Sequence, residues 1–389
     1  MSDALMTTYN RLPVAFARGE GAWLWDTEGN RYLDTISGIA VCGLGHAHPD
    51  VRDAICDQAS NLLHTSNIYR IAHQETLGER LCTLASMDRV FFANSGAEAN
   101  EAAIKLARLY GHRKGVKTPT IIVMEQSFHG RTLATLTATG SRKVQAGFEP
   151  LVKGFLRVPY NDIRAIEEIA AKDADVVGVL VEPVQGEGGI NIPDADYLNR
   201  IREICDANGW LMMLDEIQTG MGRTGRLFSH QHNGCLPDVM TLAKGLGNGM
   251  PIGACLARGA AAEVFAPGNH GSTFGGNPLA CRVGLSVLDV IEREGLCERA
   301  AALGERMRSG FQERLSGLAG VNAIRVSGLM VGIELDRPCG ELVTRALEQG
   351  LLINVTAERV VRLLPPLIIS DEICDEIIDK VAALVSEFL

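Results

Sequence analysis

The middle of the chain alternates continuous apolar runs with segments of helical length. The apolar runs cover Thr120–Met124, Val176–Val181, Trp210–Leu214 and Val239–Leu242. Because they are apolar throughout, and helices or loops separate them, the pattern predicts a parallel sheet covered on both faces. A further run, Arg89–Ala93, leads directly into a helix predicted over 94–108, which begins with polar capping residues.

The two ends of the chain follow a different pattern. Residues 14–36 alternate apolar and polar positions around a turn at Asp26–Asn30, which predicts a small antiparallel meander. Residues 50–64 and 74–86 have helical periodicity. From residue 277 a long helix precedes short strands at 329–335 and 360–364, with helices at 341–349 and 370–388. We therefore expect a large α/β domain over 55–275 and a smaller α+β domain formed by 1–54 with 276–389.

Composition narrows the classes of protein. The chain has 389 residues, 46% of them hydrophobic, and a net charge of −10, which disfavours nucleic-acid or anionic-membrane partners. It contains no apolar run of membrane-spanning length and no signal-peptide pattern at its start, so we expect a cytoplasmic protein. Ten cysteines without a C-x-x-C motif predict reduced thiols. The pairs His46/His48 and His230/His232 lack further ligands at metal-binding spacing, so we expect no metal site.

Polar side chains follow the ends of several predicted strands. Lys244 comes after Val239–Leu242, Asp215 after Trp210–Leu214, and Glu182 after Val176–Val181. Because the carboxyl ends of parallel strands share one sheet edge, these groups are expected in one ligand crevice. A lysine amine can form a Schiff base with an aldehyde, and a buried carboxylate can keep a pyridine nitrogen protonated. Pyridoxal phosphate (PLP) needs both groups.

Two further loops carry groups that suit such a ligand. Ser95, Gly96 and Ala97 lie where a strand turns into a helix, and free N–H groups there favour a phosphate. An ordinary helix cap explains the same residues equally well. Phe128 can stack on a flat ring, and Arg131 can bind a carboxylate through two hydrogen bonds.

The Gly-rich segment His270–Asn277 contains two hydroxyl groups, Ser272 and Thr273. It can contact a phosphate or carboxylate, act as a flexible junction, or do both. Another segment, Gly220–Gly225, matches the G-x-G-x-x-G pattern of dinucleotide-binding proteins. The residues after it read as a loop rather than as the helix that such a site requires, which disfavours a dinucleotide.

Taken together, six stretches of this sequence resemble the class III (ω-) aminotransferases of PLP fold type I, in family order and over nearly the whole chain. They are Asn94–Glu101, Ser127–Thr132, Glu182–Gly189, Leu214–Gly220, Ala243–Gly245 and Ser272–Pro278. The family implies an aspartate aminotransferase-like α/β fold, with a mostly parallel seven-stranded sheet in the large domain and a smaller α+β domain built from both termini. It also implies a homodimer with active sites shared at the subunit interface.

The resemblance implies a role for each cofactor-binding residue. Lys244 would bond to the aldehyde of PLP and then carry the proton between the substrate carbon and the cofactor. Asp215 would pair with the pyridinium nitrogen and make the ring an electron sink. Gln218 would approach the ring 3-oxygen, and Phe128 would stack on the ring.

The phosphate group would be bound by two chains. Ser95, Gly96 and Ala97 would hold it, the last two through backbone N–H groups, and Thr273 of the partner subunit would complete the site. All of these contacts are implied by the family.

Substrate residues follow from the same resemblance. The acceptor 2-oxoglutarate has two carboxylates, for which Arg131 and Arg362 are the matching cations. An amino donor with one carboxylate would be held by Arg131 with help from Ser272. Arg362 would then be a buried, unpaired charge, which is costly. The family implies that Glu182 pairs with Arg362 and swings away for 2-oxoglutarate.

Within the class, Gly38–Val41, Leu44–Pro49 and the length are most similar to acetylornithine aminotransferases. We expect transfer of the terminal amine of N2-acetylornithine to 2-oxoglutarate, giving N-acetylglutamate 5-semialdehyde and glutamate for arginine biosynthesis. Ile39 stands where ornithine aminotransferases carry a tyrosine, which favours an acylated donor, although Tyr9 matches another tyrosine of those enzymes. Succinylornithine, ornithine and 4-aminobutyrate remain alternative donors. An aminomutase, a non-catalytic binding protein and an NAD-dependent dehydrogenase are less favoured.

Overall fold

The computed structural model describes residues 4–389, and its N-terminal strands form the predicted meander. Strands β1 (Phe16–Glu20), β2 (Trp23–Asp26) and β3 (Arg31–Asp34) pair antiparallel in sequence order. The turn between β2 and β3 is closed by Asp26, whose carboxylate accepts hydrogen bonds from the backbone N–H groups of Glu28 and Asn30. This is an Asx-type turn, in which a side chain takes the place of a backbone acceptor.

The central sheet has seven strands. They are β4 (Arg89–Ala93), β5 (Thr120–Met124), β6 (Phe155–Val158), β7 (Val176–Val181), β8 (Leu211–Asp215), β9 (Val239–Leu242) and β10 (Gly253–Ala257). Their order is β4-β10-β9-β8-β7-β5-β6, and only β10 runs antiparallel to its neighbours. The predicted fold class, α/β with a mostly parallel seven-stranded sheet, is confirmed. Strands β6 and β10 were not predicted, because Arg157 interrupts the first and small residues make up most of the second.

Five strands lie near the C-terminus, and four of them form a second antiparallel sheet. They are β11 (Val321–Ser327), β12 (Met330–Leu335), β13 (Leu351–Leu352), β14 (Asn354–Thr356) and β15 (Val360–Leu363). The sheet order is β11-β12-β15-β14. Strand β13 instead pairs parallel with β3, so the C-terminal part of the chain completes the N-terminal sheet.

Twelve helical segments lie around these sheets in the described residues. They are α1 (Ser37–Ala40), α2 (Pro49–Asn61), α3 (Ala72–Ala85), α4 (Gly96–Arg113), α5 (Leu133–Ala138), α6 (Arg142–Gln145), α7 (Ile163–Ala170), α8 (Tyr197–Asn208), α9 (Pro278–Arg293), α10 (Leu296–Leu315), α11 (Leu342–Glu348) and α12 (Asp371–Phe388). The long helix predicted from residue 277 is two helices, because Gly295 takes a left-handed φ of 60° between them. None of these helices, within residues 4–389, is long and apolar enough to cross a bilayer.

The segment Gly220–Gly225 lies between β8 and β9 in the chain and contacts the loops next to the C-terminal sheet. No helix opens after it; a short 3₁₀ turn, Ser229–His232, follows instead, so the dinucleotide interpretation is wrong. The guanidinium of Arg223 donates to the carbonyl oxygens of Leu329 and Pro365, and the N–H of Leu329 donates back to the carbonyl of Arg223. Arg223 is buried, and that burial lowers its pKa to about 10, so it remains charged at neutral pH.

We predict that Arg223→Met destabilises the protein by about 2–4 kcal/mol, because two buried carbonyl groups lose their charged donor. Urea denaturation followed by circular dichroism measures the loss. Arg314→Met is the control, since Arg314 is half-exposed and pairs with Asp379 at the surface. We expect that control to change stability by less than about 1 kcal/mol. Equal losses in the two variants would show that the Arg223 contacts contribute nothing beyond a surface ion pair.

Candidate active site

Charged side chains from several strand ends converge at one edge of the central sheet. Asp215 is the last residue of β8, Glu182 directly follows β7, and Lys244 follows β9 at the start of a 3₁₀ turn, Lys244–Leu246. Arg362 of β15 approaches from the C-terminal sheet. Each of these charges affects the ionisation of Lys244, so the structure brings these four predicted residues together.

The surroundings of Lys244 favour the neutral form of its amine. Burial, followed by the positive charge of Arg362, lowers its pKa to about 8, against the smaller opposite effects of Asp215 and Glu182. About 10% of an amine with that pKa is neutral at pH 7, far more than in an ordinary lysine. The backbone of Lys244 has a φ of 44°, a left-handed conformation that non-glycine residues rarely adopt. Such local strain is concentrated at functional sites.

Asp215 is a buried carboxylate held by three donors. Its Oδ2 atom accepts from Asn100 Nδ2 and from His129 Nδ1, each at 2.7 Å, and its Oδ1 atom accepts from the N–H of Ile217 at 3.1 Å. Asn100 is itself oriented, because its Oδ1 atom accepts from the Thr241 hydroxyl at 2.8 Å. These three hydrogen bonds hold the carboxylate in one orientation.

The start of α4 offers an anion-binding turn. The side chain of Ser95 caps the helix by accepting from the N–H of Glu98, and Asn94 is held by the Glu98 carboxylate. The N–H groups of Gly96 and Ala97 lie in the first helical turn, where no intrahelical acceptor exists. A Cβ atom on Gly96 would lie 2.7 Å from the Cδ1 atom of Ile217, so a larger residue would have to displace that side chain.

Glu182 faces inward. Its carboxylate accepts from the N–H of Phe128 at 2.9 Å and from the N–H of Gly186 at 3.2 Å. Burial is the main reason that its pKa rises to about 7; the nearby Asp215 adds to the increase, and His129 opposes it. Glu182 therefore stands near its midpoint at neutral pH and can hold or release a proton.

The predicted ion pair between Arg362 and Glu182 does not form, so that prediction is wrong. Arg362 instead donates to the carboxylate of Glu187 at 2.9 Å, to Asn354 Oδ1 at 2.7 Å and to the carbonyl of Gly186 at 3.2 Å. The backbone turns between the two acids, so that Glu182 points to the strand end and Glu187 reaches the guanidinium. The Arg362 side chain is 1% exposed, whereas that of Glu187 is 50% exposed, so only the acid is free to move into solvent.

Gln218 is packed closely against the same loop. Its side chain is buried, and a Cβ atom on Gly186 would lie 2.1 Å from Gln218 Oε1. The Oε1 atom has no hydrogen-bond partner among residues 4–389, nor does the buried Nε2 atom of His129. Buried polar atoms are normally satisfied, so both leave hydrogen-bonding capacity for a bound molecule or ordered water.

The remaining predicted residues lie at the rim of the crevice. The guanidinium of Arg131 stands 5.7 Å from the centre of the Phe128 ring and is exposed. The Ser272 hydroxyl accepts from the N–H of Gly275 and from Asn94 Nδ2, which places it beside the helix start of its own chain. Thr273 is exposed.

Sequence reasoning missed four residues of this site. Glu187 lies in the recognised stretch Glu182–Gly189, but spacing alone does not show whether Glu182 or Glu187 pairs with Arg362. Asn100 and Thr241 are polar residues among apolar neighbours, which is a usable signal for a buried hydrogen-bond network. His129 lies between Phe128 and Gly130 in another recognised stretch, with no pattern that indicates its carboxylate partner.

Comparison with known proteins decides the family. A model of the family described as "Aminotransferase class-III" matches residues 5–385. The chain belongs to the class-III aminotransferases. An acetylornithine aminotransferase of Nitrosomonas europaea is 60% identical to this aminotransferase over 385 residues, covering 99% of this chain and 98% of that protein.

Two solved structures have the same fold as this aminotransferase. Acetylornithine aminotransferase from Elizabethkingia anophelis matches with a TM-score of 0.88 at 36% identity, over 98% of this chain and 96% of that one. Ornithine aminotransferase from Toxoplasma gondii matches with a TM-score of 0.95 at 36% identity, over 98% and 91% of the two chains. That structure was crystallised with oxidised glutathione and is described as revealing partial occupancy of PLP at its active site.

We predict that Lys244 of this aminotransferase reacts with small aldehydes at lower pH than surface lysines. Reductive methylation with formaldehyde and cyanoborohydride, followed by peptide mass spectrometry, should give a rate midpoint near pH 8, because burial and Arg362 lower the pKa of Lys244. Free Nα-acetyl-lysine, added to the same reaction, is the control and should react with a midpoint of about 10.4. Arg362→Gln should move the Lys244 midpoint upward. A Lys244 midpoint equal to that of the free lysine derivative would contradict the assigned environment.

Proposed function

We propose that this chain is a PLP-dependent aminotransferase that moves the terminal amine of an N-acylated ornithine, N2-acetylornithine in the first place, to 2-oxoglutarate. The observation that carries the proposal is the lowered pKa of Lys244 beside the fixed anion Asp215. These are the nucleophilic amine and the buried carboxylate that a pyridine aldehyde requires. Family membership and the relative from Nitrosomonas europaea support the same reaction class.

The site has the shape and the unused donors that PLP would need. Ser95, Gly96 and Ala97 would hold the phosphate at the positive end of α4, where a Cβ atom on Gly96 would crowd the side chain of Ile217. Asp215 would hold the ring nitrogen and Phe128 would cover a ring face. Gln218, whose buried Oε1 atom has no hydrogen-bond partner among residues 4–389, would approach the ring 3-oxygen, as the family implies.

Different side chains of the site would have different roles in the reaction. PLP, when bound, supplies an aldehyde and an electron-withdrawing ring. Lys244 provides the amine and carries a proton to and from the substrate carbon, for which a pKa near neutrality suits general acid–base catalysis. Asn100, His129 and the N–H of Ile217 all donate to the Asp215 carboxylate. The hydrogen bonds hold this anion in one orientation.

The pair between Arg362 and Glu187 suits two substrates of different charge. With Glu187 in place, the Arg362 charge is neutralised, and a donor with one carboxylate binds Arg131. With Glu187 turned into solvent, Arg362 is free for the second carboxylate of 2-oxoglutarate, and Asn354 keeps the guanidinium oriented. Glu187 is suited to this movement because half of its side chain is already exposed.

Sequence and structural similarity point to different donors. The solved ornithine aminotransferase superposes with the higher TM-score, yet its sequence is 36% identical to this chain, against 60% for the acetylornithine enzyme of Nitrosomonas europaea. Backbone superposition measures the shared fold, whereas donor choice depends on side chains. Ile39, which is 38% exposed, offers an apolar surface rather than a hydrogen-bonding hydroxyl to the donor. We therefore favour the acylated donor.

We further propose that the active protein is a homodimer with shared sites. An exposed apolar patch surrounds the Gly-rich turn: Ile68 is 80% exposed, Tyr69 65% and Phe274 60%. The turn is tied to this patch by Asn67, which donates to the carbonyl oxygens of Ser272 and Gly275. Exposed apolar patches of this kind mark interaction surfaces. In such a dimer Thr273 would reach the phosphate of the other subunit.

We also propose that the chain is divided into two domains. Residues 55–275 would hold the cofactor, and residues 1–54 with 276–389 would form the smaller unit. The pairing of β3 with β13 supports the second grouping.

The proposed function predicts a yellow protein with a defined donor preference. Its absorption band should lie at roughly 400–430 nm, and borohydride should fix the chromophore on Lys244. Among acetylornithine, succinylornithine, ornithine and 4-aminobutyrate, acetylornithine should give the highest kcat/KM. A colourless protein that binds no added PLP would refute the cofactor. A preference for ornithine would overturn the interpretation of Ile39 and leave the rest intact.

The charge switch predicts unequal effects on the two half-reactions. Glu187→Gln should weaken the half-reaction of the singly charged donor about tenfold or more, because Arg362 is left as an uncompensated buried cation. The 2-oxoglutarate half-reaction should change little. Stopped-flow measurement of each half-reaction separates the effects. Glu376→Gln is the control, since Glu376 pairs with Lys380 on the surface of α12. Equal losses in both half-reactions would count against the switch.

A further inference from the structure

Segment α1, at the entrance to the C-terminal end of the sheet, is one turn of left-handed helix. Ser37, Gly38, Ile39 and Ala40 have φ values of 48°, 63°, 67° and 60°. The N–H groups of Ala40 and Val41 donate to carbonyl oxygens four residues back, which closes the turn. Left-handed helical conformation is unfavourable for L-residues, and most of all for a β-branched residue such as Ile39. Surrounding contacts must therefore hold it.

Asp34 holds the beginning of this left-handed turn. Its Oδ1 atom accepts from the N–H groups of Ile36 and Ser37 at 3.0 and 2.9 Å. Its Oδ2 atom pairs with His46 Nε2 at 2.8 Å, and the two side chains are 2% and 17% exposed. The pair thus ties the residues before the turn to the residues after it.

His46 is itself held in place by the N-terminal sheet. Its N–H donates to the carbonyl of Gly21, and its carbonyl accepts from the N–H of Gly21. A Cβ atom on Gly19 of β1 would lie 2.6 Å from His46 Cβ, so the strand packs directly on the side chain. The ring therefore has little freedom to leave Asp34.

The left-handed turn lies against the proposed catalytic loops. Ala40 packs with Val184, two residues after Glu182, and with Leu364, two residues after Arg362. The carbonyl of Ala40 lies 3.9 Å from where a Cβ atom on Gly245 would stand. Asn248, four residues after Lys244, accepts from the N–H of Leu44 and donates to the carbonyl of Gly45.

We propose that Asp34 and His46 are a positioning pair that keeps the left-handed turn Ser37–Ala40 against the Lys244 loop and thereby shapes the amino-donor side of the site. Neither residue touches the reacting atoms; both act through the turn and the exposed Ile39. The donor part rests on the function proposed above, whereas the anchoring part does not.

The titratable groups that face His46 are Asp34 and Cys42. The hydrogen bond to Asp34, followed by the contact with Cys42, raises the pKa of His46 to about 9, so the ring is cationic at neutral pH. Because the folded pKa lies above the ordinary value of 6.5, the pair stabilises the fold fully below about pH 6.5 and loses that contribution as pH rises through 9.

Hydrogen exchange tests the anchoring without any substrate. In the holoenzyme at pH 7.5, His46→Gln and Asp34→Asn should speed amide exchange across residues 36–42 about tenfold or more, since a charge-assisted hydrogen bond is lost. Exchange in β8 should not change. His230→Gln is the matched control: it breaks the buried pair of His230 with Glu216, which does not hold the turn. Unchanged exchange across 36–42 would overturn the proposal.

Kinetics test the consequence for the donor, measured with whichever donor gives the highest kcat/KM. His46→Gln should raise the donor KM about tenfold while the acceptor KM stays within about twofold. The ratio of donor KM between variant and wild type should fall towards one above pH 9, where the wild type also loses its cation. Equal increases in both KM values, or a ratio that does not depend on pH, would refute the positioning role.

A rescue variant separates positioning from general damage. Ser37→Gly in the His46→Gln background should restore part of the donor KM, because glycine adopts the left-handed conformation without strain. Ser37 is fully buried, and its hydroxyl has no hydrogen-bond partner among residues 4–389, so little else is lost. No rescue, together with a lower melting temperature in every variant, would indicate a merely structural pair. If no donor is turned over, the function proposed above fails, and the exchange result still decides the anchoring.

Discussion

Buried charge at the edge of the central sheet is the constraint on which the rest of this structure depends. Asp215, Glu182 and Arg362 are buried, and the charge of each affects the ionisation of Lys244. Removing a charge from water is costly unless other groups compensate for it. The protein compensates with neighbouring charges, backbone N–H groups and a second layer of polar side chains. That layer accounts for much of the polar network in the core.

The compensation differs from one charge to the next, and the differences create distinct chemical behaviour. Asp215 receives three hydrogen bonds. Glu182 receives two, from backbone groups, yet its pKa still rises to about 7. Burial lowers the pKa of Lys244 to about 8. Burial thus shifts both an acid and an amine on one sheet edge towards their neutral forms.

The sequence predicts the central sheet and most of the charged residues because both depend on local patterns. Apolar runs identify strands, and the polar residue after each run lies at the carboxyl edge. Partner choice depends on three-dimensional turns that spacing does not encode. Glu182 and Glu187 share one short stretch, and only the path of the backbone between them shows which acid reaches Arg362. Strand β10 and the left-handed turn at Ser37–Ala40 likewise lack a sequence signature.

The parallel pairing of β3 with β13 has a consequence for how the chain is made. The N-terminal meander is synthesised first, yet the strand that completes its sheet follows roughly 300 residues later. At about 5–20 residues per second, the ribosome needs about 15–60 s to supply it. During that interval the exposed edge of β3 is open to other partners. A nascent chain of this protein therefore depends on protection of its first strands until almost the whole chain has emerged.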